Sequence, residues 1–378
     1  MTTLTPACAP VTTTAGHEVG GRRPLVSVAP MMDLTDRHYR YLARLLSRRV
    51  LLYSEMITAR AILFGDRRRL LAFSSVEGPV VLQLGGDDPA SLADAAVIGA
   101  EFGYSEINLN VGCPSERVST GNFGACLMAS PELVGECLAA IADAVDVPVS
   151  VKHRIGIDDR DSYDDLLGFV DRVDDASGGV PVAYTVHARK AWLSGLSPKE
   201  NRTVPPLRYE FVHRLKRERP RLTIELNGGV TTLAQAREHL DLVDGVMIGR
   251  AAYENPVLLT EVDPALYGEE SPSHSRDGVV SAMLPYLDAH LASGGRLAAV
   301  TRHMLNLFRG VPGGRAWRRT LSEGVHREGA GTEVVTAAIG SVPAEVAAAP
   351  FTTSRSAAEV LLRDDQVLDL VGTLADAR

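Results

Sequence analysis

The chain of 378 residues is poor in cysteine, in aromatic residues and in long apolar runs. Its four cysteines (Cys8, Cys113, Cys126 and Cys137) are too few for a disulfide scaffold, and no two of them form a CxxC pair. No apolar run approaches the roughly 18 residues that span a bilayer. The N-terminus lacks the basic start and the apolar segment of a secretion signal. We therefore expect a cytoplasmic protein with no membrane partner.

Apolar residues make up 45% of the sequence, which is enough to bury a large core and excludes disorder across the whole chain. The formal net charge of −8 disfavours a nucleic-acid partner unless positive charge is concentrated in one region. The length suggests two domains, or one large α/β barrel with an appendage.

Eight short β-branched or apolar runs alternate with helix-like segments such as 90–103 and 131–145. This alternation predicts βαβ units and a parallel sheet, and eight units in about 230 residues favour a (β/α)8 TIM barrel over an open sheet. The runs occupy 25–31, 50–56, 79–86, 106–114, 147–156, 181–189, 222–229 and 244–250.

The remainder of the chain predicts a smaller all-α domain after the barrel. Apolar residues recur every three or four positions in 279–295 and 296–311, and a third helix is expected around 315–323. We divide the chain into a flexible N-terminal arm (1–23), the barrel (24–262), a helical domain (273–345) and an Ala-rich tail (346–378).

Residues at the ends of the predicted strands are the candidates for chemistry, because the βα loops of a barrel converge there. The NGG sequence at 227–229 and Gly249-Arg250 follow the last two strands, where glycine permits a close approach to phosphate. Ordinary tight turns are the alternative. Lys152 could hold an anion or form a Schiff base, or simply be solvated.

Three further side chains at strand ends have both a structural and a functional interpretation. His187 and Gln83 could hydrogen-bond a cofactor, or satisfy groups of the core and the loops. Cys113 lies in a rigid NVGCP turn, where a thiol can be a nucleophile, a metal ligand, a proton donor or packing. No His/Cys/carboxylate set has the spacing of metal ligands, so we expect no metal.

Positive charge is concentrated in the predicted helical domain. Residues 296–327 contain seven arginines and a single acid, Glu323, whereas an ordinary solvated face mixes both signs. Lys199 and Arg202 add two cations in the loop after His187. This clustering favours an RNA-binding face over a solvated helical surface.

The motifs together resemble the tRNA-dihydrouridine synthases over residues 25–330. They are VAPMMDLTDRHYR, LQLGG, EINLNVGCPS, FGACLM, VKHRIGIDD, HARKAWLSGLSPKENR, NGG and IGRAAYENP. The HARKAWLSGLSPKENR and TRHMLNLFRGVPGGRAWRR segments are similar to the bacterial subgroup that acts on positions 20 and 20a of the tRNA D-loop. The arm and the tail beyond about residue 335 have no counterpart.

The resemblance implies an FMN enzyme that uses NADPH to form 5,6-dihydrouridine in tRNA, with a hydride passing to C6 and Cys113 donating the proton to C5. The implied FMN contacts are Pro30, Met31, Met32, Gln83, Lys152, His187, Asn227, Gly228, Gly229, Gly249 and Arg250. The implied tRNA contacts are Asn110, Lys199, Arg202, Arg315 and Arg318. A monomer is the expected oligomeric state, although the sequence does not determine it.

Three alternatives are distinguishable by experiment. A flavin reductase of free pyrimidines would turn over free uridine. A Schiff-base aldolase would be colourless and would be trapped by borohydride through Lys152. An RNA-binding protein with an idle barrel would bind tRNA and form no dihydrouridine.

Overall fold

The computed structural model describes residues 23–115 and 122–351. Within them, eight strands coincide with the eight predicted runs; seven are shorter than predicted, and the second has the predicted length but begins and ends two residues later. The strands are β1 Val26–Val28, β2 Leu52–Thr58, β3 Val80–Gly85, β4 Glu106–Val111, β5 Val149–Arg154, β6 Val182–His187, β7 Thr223–Asn227 and β8 Gly245–Ile248.

All eight strands are parallel and each pairs with its neighbours in chain order, with β1 beside β8. Main-chain hydrogen bonds join Val28 to Leu51 and Leu51 to Val26, so the first strand also meets the segment that leads into β2. The sheet therefore closes on itself, and the predicted (β/α)8 barrel is confirmed.

Alternation along each strand separates the barrel interior from the layer beneath the helices. In β4, Ile107 and Leu109 belong to the large core between sheet and helices, while Asn108 lies on the opposite, interior face. A small separate cluster fills part of the interior with apolar atoms; its members are Ala29, Leu51, Tyr53, Val81 and Met247. The remainder of the interior is polar.

Six of the nine helices in the barrel part of the described chain begin at a side-chain cap that the sequence supplies. Asp36 accepts from the His38 and Tyr39 amides at the start of α1, and Ser162 and Asp165 form a capping box at α6. The helices of this part are α1 Arg37–Leu46, α2 Ala59–Phe64, α3 Arg67–Leu71, α4 Pro89–Glu101, α5 Pro131–Ala144, α6 Tyr163–Ala176, α7 Tyr209–Glu218, α8 Leu233–Leu240 and α9 Arg250–Glu254.

Only helices and turns follow the barrel in the described chain. After β8 come α9, a 3-10 segment Pro256–Glu261 and a π-helical turn Asp263–Tyr267. Beyond it lie α10 Arg276–Ala292, α11 Leu297–Met304, α12 Gly314–Gly324, α13 Glu333–Gly340 and α14 Ala344–Ala347.

The helix predicted over 296–311 was too long, because α11 ends at Met304. The Trp317 indole donates to the Met304 carbonyl at 3.0 Å, and its ring packs on Phe308 with centroids 4.7 Å apart. Leu307 and Phe308 are buried in the turn that follows. The apolar spacing after Met304 thus reflects burial in a turn rather than a continued helix.

A polar contact joins the C-terminal helices to the barrel. The Asp36 carboxylate accepts from Arg302 at 2.6 Å and lies 3.0 Å from His303 Nε2, while it also caps α1. None of the described helices is long and apolar enough to cross a membrane. Apart from Arg23 and residues 346–351, the predicted arm and tail lie outside the described residues.

Candidate active site

The carboxyl ends of the strands bring several candidate residues together at one mouth of the barrel. The strand register sets Asn110 of β4 beside Lys152 of β5, and His187 of β6 beside Asn227 of β7. Gln83 of β3 receives a hydrogen bond from the Asn110 amide at 2.8 Å. Five neighbouring strands, β3 to β7, thus place side chains at the same end of the barrel.

The Cys113 turn is held by the side chain of Asn110. The Asn110 Oδ1 atom accepts from the main-chain amides of Gly112 at 3.1 Å and Cys113 at 3.0 Å. The Cys113 carbonyl accepts from Ala125 at 2.9 Å, which ties the turn from its other side. The thiol is half-buried, with the Ser115 hydroxyl 3.6 Å from Sγ, so it stands at the mouth in a fixed position.

Cations surround this turn. Lys152 is only partly open to the pocket, and burial together with the charge of Arg154 lowers its pKa to about 8. Partial burial and the nearby charge of Arg250 lower the pKa of Arg202. Among the described residues, no carboxylate forms a salt bridge with any of these four side chains. The mouth therefore carries uncompensated positive charge, which suits an anionic ligand.

Arg154 is a residue that the sequence reasoning missed. It is 3% exposed, and its guanidinium donates to the carbonyls of Gly112, Lys190 and Asn201 at 2.9–3.0 Å. Burial lowers its pKa to about 10. It thereby joins the Cys113 turn to the loop after β6. Its position two residues after Lys152, on the same face of β5, was the available signal.

His187 and the glycine pair form the opposite wall. Burial and the charges of Arg154 and Lys152 lower the pKa of His187 well below its ordinary value, so its imidazole is neutral near pH 7. Gly228 has φ +116°, and a Cβ there would lie 2.6 Å from the His187 ring. Gly229 has φ +71°, and a Cβ there would lie 2.5 Å from Leu207. Larger residues are therefore excluded at both positions.

The remaining residues of the predicted cofactor site lie in loops at the same end. Pro30 and Met31 follow β1, and Met32 is 55% exposed. Gly249 follows β8, and Arg250 begins α9 with an exposed side chain. Asn227 is buried, and its amide donates to the Met247 carbonyl at 2.8 Å, which joins the ends of β7 and β8.

The predicted RNA-binding face is less uniformly positive than the sequence suggests. All seven arginines of 296–327 are exposed, but Arg302 pairs with Asp36 and Arg309 lies 3.4 Å from Glu254. Arg315 and Arg318 form no salt bridge with a described residue and project from α12. Lys199 is exposed in the loop after β6. Among the described residues, the unpaired positive charge of 296–327 therefore lies on α12 and at Arg296 and Arg327 on either side of it.

Within residues 23–115 and 122–351, no group of three or more His, Cys, Asp or Glu side chains is arranged to hold a metal ion.

Asn110 is 8% exposed and hydrogen-bonded on both sides of its amide, so it lines the pocket from beneath rather than from the surface.

Comparison with known proteins identifies relatives along most of the chain. The family model described as Dihydrouridine synthase (Dus) matches residues 27–342. A tRNA-dihydrouridine(20/20a) synthase of Synechocystis sp. is 59% identical over 83% of this chain and 93% of its own length. Proteins with the same name in Shewanella oneidensis and Vibrio cholerae are 56% and 55% identical, over 85% and 84% of this chain and 95% and 96% of their own lengths.

Proposed function

The chain belongs to the dihydrouridine synthase family and is an oxidoreductase that forms dihydrouridine in the D-loop of tRNA; we propose how its barrel mouth does so. We assign the reaction to uridine at positions 20 and 20a, with NADPH as the reductant and the cytoplasm as its setting. We propose that it acts as a monomer. The observation that carries the proposed chemistry is a thiol on a held turn, within electrostatic range of Lys152, Arg154 and Arg202.

FMN fits the residues of this mouth. Lys152 and Arg250 form no salt bridge with a described carboxylate, so both can hold an anionic group, and Gly228 and Gly229 stand where a larger residue would collide with its neighbours. When bound, FMN supplies the hydride for C6 of the uracil after it has accepted electrons from NADPH. The residues that would hold it are Pro30, Met31, Met32, Gln83, Lys152, His187, Asn227, Gly228, Gly229, Gly249 and Arg250.

Polar side chains of the pocket orient the flavin and the base. The protonated Lys152 ammonium favours an anionic ring edge, and the neutral His187 imidazole can donate to a carbonyl without adding charge. Gln83 is 1% exposed and is held by its neighbours, so its amide presents a fixed donor. These groups lose little freedom when the ligand binds, which favours a defined geometry.

Cys113 is the proposed general acid. Reduction of the C5–C6 double bond adds one hydride and one proton, and the thiol supplies the proton to C5 as the hydride reaches C6. The bond between hydrogen and Sγ breaks, a C–H bond forms at C5, and solvent returns the proton to the thiolate. The turn that Asn110 holds keeps Sγ at the mouth throughout this step.

The cationic surfaces are the proposed tRNA contacts. A uridine must leave its stack to enter the barrel mouth, which costs on the order of a few kcal/mol. Phosphate contacts from Lys199, Arg202, Arg315 and Arg318 offset that cost, and Asn110 is close enough to Cys113 to contact the base. The helical domain (273–345) then acts as the tRNA-binding domain beside the catalytic barrel (24–262).

One experiment tests the proposal as a whole. We expect the purified protein to show the absorbance bands of oxidised flavin, and to convert uridine to dihydrouridine in tRNA from cells that lack this enzyme when NADPH is supplied. Mapping should place the product at positions 20 and 20a. Turnover of free uridine would favour a pyrimidine reductase instead, and a colourless protein that leaves the tRNA unchanged would overturn the proposal.

A further inference from the structure

A continuous series of side-chain hydrogen bonds crosses the barrel interior from its floor to its mouth. It joins inward-facing residues of β3, β4 and β5 to an arginine that lies just before β1. We call it the interior network, and in order from floor to mouth it consists of Arg23, Glu106, Ser150, Asn108, Gln83 and Asn110.

The hydrogen bonds at the floor of the network determine which partner donates and which accepts in the bonds above them. The Arg23 guanidinium donates to Glu106 Oε2 at 2.6 Å, and a guanidinium has no acceptor. The Glu106 carboxylate can only accept, so the Ser150 hydroxyl donates to its other oxygen, Oε1. The Ser150 oxygen is then left to accept, and it does so from Asn108 Nδ2 at 2.8 Å.

The same donor and acceptor order continues through the amides of Asn108, Gln83 and Asn110 to the mouth. With its NH2 group turned to the serine, Asn108 presents its oxygen to Gln83 Nε2 at 2.7 Å. Gln83 therefore presents its oxygen to Asn110 Nδ2 at 2.8 Å. The Asn110 oxygen is left facing the amides of Gly112 and Cys113. If any one of these amide groups were rotated by 180°, its NH2 group would face another donor and its oxygen would face another acceptor.

We propose that Glu106, Ser150 and Asn108 are positioning residues for the reaction, because they fix the orientation of the Gln83 and Asn110 amides and thereby the Cys113 turn. None of the three reaches the mouth. The inference rests on the proposed function, in which Gln83 contacts the flavin and Cys113 donates the proton. All three are at most 2% exposed, so solvent does not substitute for a missing partner.

A second carboxylate at the floor provides a matched comparison. Glu225 accepts from the Ser27 hydroxyl at 2.6 Å and from the Thr185 hydroxyl at 2.6 Å. Ser27 and Ser150 are both 0% exposed, and each donates to a buried glutamate. They differ in one respect, since only Ser150 also accepts from an amide that leads to the mouth. A merely structural role for buried serine hydroxyls predicts the same result at both positions.

The test compares Ser150→Ala with Ser27→Ala in the full-length enzyme. Hydrogen exchange of the Gly112 and Cys113 amides reports on the turn without reference to activity. We expect exchange at these two amides to be roughly tenfold faster in Ser150→Ala, as befits a weakened hydrogen bond, and unchanged in Ser27→Ala. Dihydrouridine formation should slow in Ser150→Ala with an unchanged KM for tRNA, because the tRNA-binding surfaces are intact.

A second variant, Glu106→Gln, tests the same inference if Ser150→Ala does not fold. In Glu106→Gln the amide oxygen faces Arg23, so its NH2 group faces Ser150 and the direction of the network is no longer imposed. The same faster exchange at Gly112 and Cys113 is expected. Equal exchange and equal turnover in the two serine variants, or protected amides in Glu106→Gln, would overturn the inference. Wild-type protein that forms no dihydrouridine would instead overturn the proposed function and leave the exchange result standing.

Discussion

Replacing Lys152 with methionine should remove most of the pH dependence of FMN binding. Burial and the charge of Arg154 lower the pKa of this lysine to about 8 against the opposing charge of Glu225, and it forms no salt bridge with a described carboxylate. A base whose pKa is lowered loses its charge as the pH rises through that value. The ammonium that attracts an anionic flavin is therefore present at pH 7 and is largely lost at pH 9.

The size of the effect follows from the pKa. A lysine with a pKa of about 8 is about nine-tenths charged at pH 7 and about one-tenth charged at pH 9, so an interaction that requires the charge weakens roughly tenfold. A solvated lysine, with a pKa of about 10.4, would change by only a few per cent over the same range. In Lys152→Met, affinity should be lower at pH 7 and nearly constant up to pH 9.

The assay is a fluorescence titration of flavin-free protein with FMN at pH 7, 8 and 9. Lys216→Met serves as the matched control, because Lys216 lies on α7, outside the mouth, and its ammonium pairs with Asp244 just before β8. This control should retain the wild-type fall in affinity. Two results would refute the reasoning. One is a wild-type affinity for FMN that stays constant from pH 7 to pH 9, and the other is a Lys152→Met protein whose affinity for FMN falls as much as that of the wild type.

Two further predictions concern the helical domain and its attachment. The double variant Arg315→Ala, Arg318→Ala should weaken tRNA binding and reduce the slope of log affinity against log salt by about 1.5, since two phosphate contacts are lost, with NADPH oxidation nearly unchanged. Although burial alone would raise the pKa of Asp36, its hydrogen bonds with His303, Tyr39 and Arg302 hold that pKa well below the usual range. Asp36→Asn should therefore lower the free energy of unfolding by about 2 kcal/mol at pH 7, and by less as the pH falls below 4.

The first prediction has a control on the same chain, and the second is checked by comparing two pH values. Arg172→Ala removes an exposed arginine of α6 that pairs with Glu132 on the side of the barrel, and it should leave the salt slope unchanged. An unchanged slope in the double variant would mean that tRNA uses another surface. Urea unfolding of Asp36→Asn at pH 7 and pH 3 measures the second effect, and an equal loss at both pH values would contradict the role of its charge.

The barrel was predictable from the sequence because each strand has a local signal, a short apolar run that ends at a turn. The run 106–114 contains alternating apolar residues and then the Gly-Cys-Pro turn, and β4 ends at Val111, where that turn begins. Strand ends converge in any closed parallel barrel, so Lys152 and His187 could be placed at one mouth before the structure was known. The roles of these residues as flavin contacts stay predictions.

Features that depend on distant partners were not predictable. The count of seven arginines against one acid in 296–327 omits Asp36 and Glu254, which lie far away in sequence and pair with Arg302 and Arg309. The interior network was missed for a related reason. The alternation of Glu106, Asn108 and Asn110 places all three on the interior face, but only the neighbouring strands show which groups they meet.

The most direct test of the central claim is a single-turnover reaction of the Cys113→Ala protein with tRNA, after its bound flavin has been reduced. Cys126→Ala is the matched control, because that thiol donates to the Phe123 carbonyl at 3.1 Å and has no proposed role in the reaction. We predict bound flavin and unchanged tRNA affinity in both variants, normal product in Cys126→Ala, and at least a hundredfold slower dihydrouridine formation in Cys113→Ala, the usual contribution of a general acid being about 10²–10⁴-fold. Product formed by Cys113→Ala at the wild-type rate would contradict the claim that this thiol protonates C5.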